Sequence, residues 1–152
     1  MTTPARKARK AVSTSPSANG IAENPHLRQV VAKLRGLLAN GDIRSAEDHH
    51  EIGREVRKVE DQRSKYGLKP DENAVQRLAL ETGYSEDTIY NDVALARCWP
   101  VRGFSQLLQR EGKNGTRLTR SHLIEVAKIK DADARDAMVE KALAEAMSYR
   151  DV

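Results

Sequence analysis

No stretch of this 152-residue chain alternates apolar and polar residues in the way a half-buried strand requires. Its apolar positions recur instead every three or four residues, the period of helices that bury one stripe. The six aromatic residues, Tyr66, Tyr84, Tyr90, Trp99, Phe104 and Tyr149, are too few to furnish a β-sandwich. A core must come from Leu, Ile, Val and Ala, which suits packed helices. The expected fold is all-α and multi-helical.

Punctuation divides the chain into three segments. Residues 1–24 show no apolar period and are rich in Ser, Thr, Ala, Pro and Gly. They read as a disordered basic tail with Arg6, Lys7, Arg9 and Lys10 as its charge cluster, a composition that organelle transit peptides share. Asn24-Pro25 is a helix start, followed by Leu27, Val30, Val31, Leu34, Leu37 and Leu38 at helical spacing, with Gly41 as the stop. Ser45 with Asp48 opens a second helix that puts Ile52, Val56 and Val59 on one side and is expected to run to about Lys65. Residues 25–70 thus form a helical pair, for packing or for a homodimer through residues 25–66. From 71 to 152 the helices shorten, with stripes at Ala74, Val75, Leu78 and Ala79, then Ile89, Val93 and Ala96, then Phe104, Leu107 and Leu108. Thr119 can cap a helix holding Leu123, Val126 and Ala127, and Asp131 or Asp133 one holding Ala134, Met138, Ala142 and Leu143.

The net charge of +4 conceals alternating blocks. Residues 1–44 carry 8 basic and 2 acidic side chains, 45–96 carry 7 and 12, 97–130 carry 8 and 2, and 131–152 carry 3 and 6. Concentrated positive blocks suit a phosphate backbone, where each neutralised phosphate releases a counterion. No apolar run approaches the roughly 18 residues of a membrane span. Cys98 is the single cysteine, so no internal disulfide or cysteine-rich zinc site forms, and a reducing cytoplasmic compartment is expected.

No catalytic constellation stands out, and neither a cofactor nor a metal is expected. His49 and His50 are adjacent, so on a helix they point about 100° apart and cannot chelate together. Lying among acids, they are expected to face solvent. Cys98 beside Trp99 reads as a small buried hydrophobe. Gly112-Lys113-Asn114-Gly115 reads as a turn that presents Lys113 to a phosphate.

The stretch AVQRLALETGYSEDTIYNDVALAR, residues 74–97, has the spacing of a helix-turn-helix. Ala79 is small where two helices would cross, and Gly83 can adopt the positive φ of the turn. Ser85 can cap the second helix, and Ile89 and Val93 face inward. The exposed set is then Ser85, Glu86, Asp87, Thr88, Tyr90, Asn91 and Asp92, with Arg97 at the far end. Asn91 suits adenine, Thr88 a thymine methyl and Asp87 a cytosine amine, while Ser85, Tyr90 and Arg97 suit phosphates. Glu81, Glu86, Asp87 and Asp92 make this helix acidic, and the positive block from Arg97 to Lys130 is the expected compensator.

Residues 74–152 also resemble the central DNA-binding domain of ParB/KorB-type partition proteins. In that family a helix-turn-helix precedes a Leu-Ser-x-Gly-His-Ala segment, an acid-rich helix and a Leu-Ser-Val-Arg-Glu segment. The counterparts here are Leu118-Thr119-Arg120-Ser121-His122-Leu123, then Asp131 to Ala146, then Met147-Ser148-Tyr149-Arg150-Asp151. Ser121 stands where the family has Gly, and Leu123 where it has Ala. The resemblance implies that Arg120, Ser121 and His122 lie near phosphate, and Arg117 joins them in the expected DNA-binding set. The family's Gly-Glu-Arg-Arg nucleotide-binding region has no counterpart before residue 74, so no CTP-dependent clamp is implied. Its C-terminal dimerisation domain is likewise expected to be missing.

These features lead to the expectation of a non-enzymatic, sequence-specific double-stranded-DNA-binding protein. It would be a transcriptional regulator or a plasmid or chromosome partition factor of a bacterium, plasmid or phage, associated with the nucleoid. The competing readings are a helical protein–protein adaptor and the DNA-targeting accessory of a nuclease or recombinase.

Overall fold

The computed structural model describes residues 24–39 and 46–152. The expected basic tail, the stop at Gly41 and the cap at Ser45 lie outside the described residues. Among the described residues seven α-helices follow in order: α1 (Pro25–Ala39), α2 (Ala46–Asp61), α3 (Ala74–Thr82), α4 (Glu86–Cys98), α5 (Val101–Gln109), α6 (Arg120–Ala127) and α7 (Ala132–Ala144). A single 3₁₀ turn covers Lys113–Gly115. Among the described residues the only β feature is an isolated antiparallel bridge between Glu111 and Arg117. The protein is all-helical.

Local chemistry explains the boundaries. Asn24 Oδ1 accepts the Leu27 N–H at 2.9 Å, which fixes the start of α1 ahead of Pro25. Asn73 caps α3 by accepting from the Gln76 N–H. Of the two candidate caps for α7, Asp131 is the one used, taking the Ala134 N–H at 2.8 Å. α2 ends at Asp61, short of the expected Lys65. Residues 62–67 leave the helix through turns, and Leu68 N–H reaches back to Arg63 O at 3.0 Å.

Contacts group the chain into two compact units, with the division falling inside α2 and α4. The first unit holds α1, Glu55–Ile89 and therefore α3. Its buried apolar residues include Leu27, Val30, Val31 and Leu34 of α1, Val56 and Val59 of α2, and Val75, Leu78 and Ala79 of α3. Leu27, Val30, Val31 and Leu34 of α1 are thus buried within the chain, and Leu37 is half-buried. The second unit holds residues 46–54 and Tyr90–Val152. Its core joins Leu95, Trp99, Phe104, Leu118, Leu123, Val126, Val139, Ala142 and Leu143, with Cys98 packed at its edge. No described helix is long and apolar enough to cross a membrane.

Candidate nucleic-acid interface

The turn between α3 and α4 is built as its residues dictate. Gly83 takes φ 77°, and its N–H bonds Ala79 O at 2.8 Å. An added Cβ would meet nothing within 4 Å, so it is the left-handed backbone and not space that requires glycine. Thr82 Oγ1 donates to Leu78 O at 2.7 Å and accepts the Tyr84 N–H at 3.2 Å. Ser85 Oγ lies 3.5 Å from the Thr88 N–H, a long cap contact. Ile89 is wholly buried, as its place six residues after Gly83 anticipates.

On α4 the expected reading residues divide by exposure. Ser85, Glu86, Asp87, Tyr90 and Arg97 are exposed, and Thr88 and Asn91 are half-buried. Helical spacing puts Asp87, Tyr90 and Asn91 on one face. Tyr90 keeps 45% of its surface accessible, a large aromatic outside any core.

Asp92 departs from expectation. It is fully buried, not exposed. Its carboxylate faces His49 Nδ1 at 2.9 and 3.1 Å and accepts from Arg120 Nη2 at 3.0 Å. A carboxylate removed from water needs such partners, since desolvating it unpaired costs several kcal/mol. The acid that seemed to oppose DNA on α4 is therefore already neutralised inside the second unit.

The same ion pair engages Arg120. Its guanidinium is committed to a buried carboxylate, and its Nε is buried without a hydrogen-bond partner. His122 is likewise engaged within the protein. It is buried, its Nδ1 accepts the Thr119 N–H at 3.1 Å, and its Nε2 lies 2.8 Å from Met147 O. An acceptor at Nδ1 and a carbonyl at Nε2 select the neutral tautomer protonated at Nε2. Thr119 Oγ1 in turn accepts the His122 N–H, completing a capping box with histidine in the place usually held by Glu or Gln. Ser121, between them, is exposed.

His49 and His50 are also buried, not solvent-facing. They diverge as adjacent helical residues must: His49 goes to Asp92, while His50 Nε2 meets Trp99 O at 2.7 Å and its ring stacks on Phe104. Among the described residues no group of His, Cys, Asp and Glu is placed to hold a metal.

The basic block of residues 97–130 is half spent on ion pairs. Arg110 forks onto Glu140 at 2.6 and 2.8 Å, a bond that holds the Glu140 carboxyl below its ordinary range and raises Arg110. Arg117, an expected DNA contact, pairs with Glu111 at 2.9 Å, and Lys128 with Glu125. Arg97, Arg102, Lys113 and Lys130 are exposed and make no ion pair among the described residues. Lys113 stands on the 3₁₀ turn, beside Asn114 and Gly115 at φ 59° and 74°. Arg102 has no acid three or four residues away in sequence, the one local signal of its freedom, whereas Lys130 is followed by Asp131 and Asp133 and carries no such signal. No protein family, curated protein or solved structure matches the chain.

Proposed function

We propose that this chain binds double-stranded DNA sequence-specifically, with α3 and α4 acting as a helix-turn-helix and α4 entering the major groove. The observation that carries the reading is the turn: left-handed Gly83, buried Ile89 six residues on, and beyond it exposed Asp87 and Tyr90 with half-buried Asn91 beside them on α4. Burial of Asp92 against His49 and Arg120 supports it further, because it removes one negative charge from the reading face. Asn91 would read a base edge. Ser85, Tyr90, Arg97 and Lys113 would hold phosphates, and exposed Arg102 and Lys130 add to that positive set. The resemblance to ParB/KorB-type proteins supplies the role: a centromere-type partition factor or a transcriptional regulator.

Selection of bound duplexes from a random library tests the proposal. The wild type should enrich one motif, and Asn91→Ala should relax that motif at one position without abolishing binding. An unenriched library would reject sequence-specific recognition and favour a helical adaptor whose acidic face binds a basic protein.

A further inference from the structure

The first unit contains a cleft that the DNA reading does not use. Along one face of α1 lie His26, Gln29, Val30 and Lys33; α2 adds Glu55 and Lys58, and the turn after it adds Lys65 and Tyr66. Together they line about 330 Å³, within the range of small-ligand sites. Its edge is tied together by Asn24, which caps α1 with Oδ1 and donates from Nδ2 to Lys65 O at 3.1 Å. Gly67, at φ 73°, lets the turn close on that amide, where a Cβ would sit 2.9 Å from Nδ2.

The charge in this cleft is unbalanced. Lys33 and Lys58 both reach the same oxygen of buried Glu55, each at 3.0 Å. Burial pushes the Glu55 carboxyl up, but the hydrogen bonds and charges of Lys58 and Lys33 outweigh it and leave it below its ordinary value. Glu55 therefore stays anionic at neutral pH and offsets one of two ammoniums. Lys65 brings a third, 5.6 Å from the Tyr66 ring centroid, with no carboxylate partner among the described residues. The first turn of α1 carries no acid, so the positive end of its dipole adds to the excess. His26 meets Tyr66 edge-on at 6.2 Å between centroids, which makes an amphipathic wall.

Two ammoniums on one carboxylate, with a third lining the same polar, tied-down cleft, fit a compact multiply charged anion. We infer that the cleft takes a phosphate group, carried by a small phosphorylated ligand or by a nucleic-acid backbone.

Nuclear magnetic resonance of the isotope-labelled full chain tests this, with inorganic pyrophosphate and a short DNA duplex as separate probes at up to millimolar concentration. Pyrophosphate should shift the amides of Gln29, Lys33, Lys58 and Tyr66 saturably. Lys65→Gln should weaken that binding about threefold, the scale of one exposed charge contact, while Lys69→Gln leaves it unchanged. Saturation by the duplex alone would support a backbone phosphate as the occupant. No saturable shift with either probe would overturn the inference, as would equal weakening by Lys69→Gln, which marks diffuse attraction. The Asn91→Ala variant should leave these shifts intact, so failure here and failure of the groove-reading proposal are separable.

Discussion

Gly53 on α2 lies against the backbone of Asp92 on α4 so closely that a Cβ would sit 2.0 Å from the Asp92 carbonyl oxygen. This contact sets the approach of the two segments within the second unit and brings His49, one turn earlier, to the Asp92 carboxylate. Gly53→Ala pits two effects against each other. Alanine gains about 1 kcal/mol of helix propensity. The clash is with backbone, which no rotamer relieves, and overpacking of this kind costs about 1–3 kcal/mol or more. The clash wins, and urea unfolding should show a net loss of about 1–2 kcal/mol. A variant at least as stable as the wild type would mean that the segments part without cost.

Arg120 should behave as a structural residue. Its removal takes a charged partner from the wholly buried Asp92 carboxylate, which also faces His49. Breaking a buried pair from one side costs about 3–5 kcal/mol, reduced here because the Arg120 side chain keeps 25% of its exposure. Arg120→Ala is expected to lose about 2–3 kcal/mol in chemical unfolding. The double variant Asp92→Asn, Arg120→Ala should recover part of it, since the uncompensated charge is then gone. Lys113→Ala, at an exposed turn, should change stability by less than about 0.5 kcal/mol.

His122 tests the capping box. His122→Ala loses both the bond to the Thr119 N–H and the bond to Met147 O, which together should cost about 1–3 kcal/mol. His122→Gln can accept at the cap but reaches the Met147 carbonyl less well, so its Tm should fall between those of His122→Ala and the wild type.

Helix positions were legible because their signals are local. Asn24-Pro25, Gly83, Thr119 and Asp131 each act within four residues, and each stands at the boundary expected of it. Burial of polar groups was not legible for the opposite reason. Whether His49 or Asp92 faces water depends on a crossing between residues 43 positions apart, and no periodicity records it. Nor does charge spacing mark Glu55, which sits in a densely charged helix and is nevertheless buried beneath two lysines. At His122 a local signal is present, since Thr-x-x-His has the spacing of a capping box, and the resemblance assigns the same segment to phosphate.

Glu55 also gives the acid side of the stability profile a definite sign. Its folded-state value lies below the ordinary 4.5 because Lys58 and Lys33 outweigh the effect of burial. A depressed carboxyl contributes stability that is complete above the unfolded value and disappears as pH falls through the folded one. Stability should therefore decline below about pH 4.5, and Glu55→Gln should make that decline shallower. An unchanged acid limb in the variant would show that Lys33 and Lys58 do not stabilise the charged form.

The division of labour on the proposed DNA surface predicts different salt behaviour at different residues. Lys113 is exposed and makes no ion pair among the described residues, so a phosphate bond there would release a counterion in full. Arg117 must first leave Glu111, 2.9 Å away, and its gain on DNA is reduced by what it gives up. In mobility shifts across a salt series, Lys113→Ala should lower the slope of log affinity against log salt by about 1. Arg117→Ala should lower it by less, and Asn91→Ala should leave the slope alone while relaxing base preference. If Asn91→Ala instead lowers the slope as Lys113→Ala does, then Asn91 supports a phosphate contact and α4 does not read bases at that position.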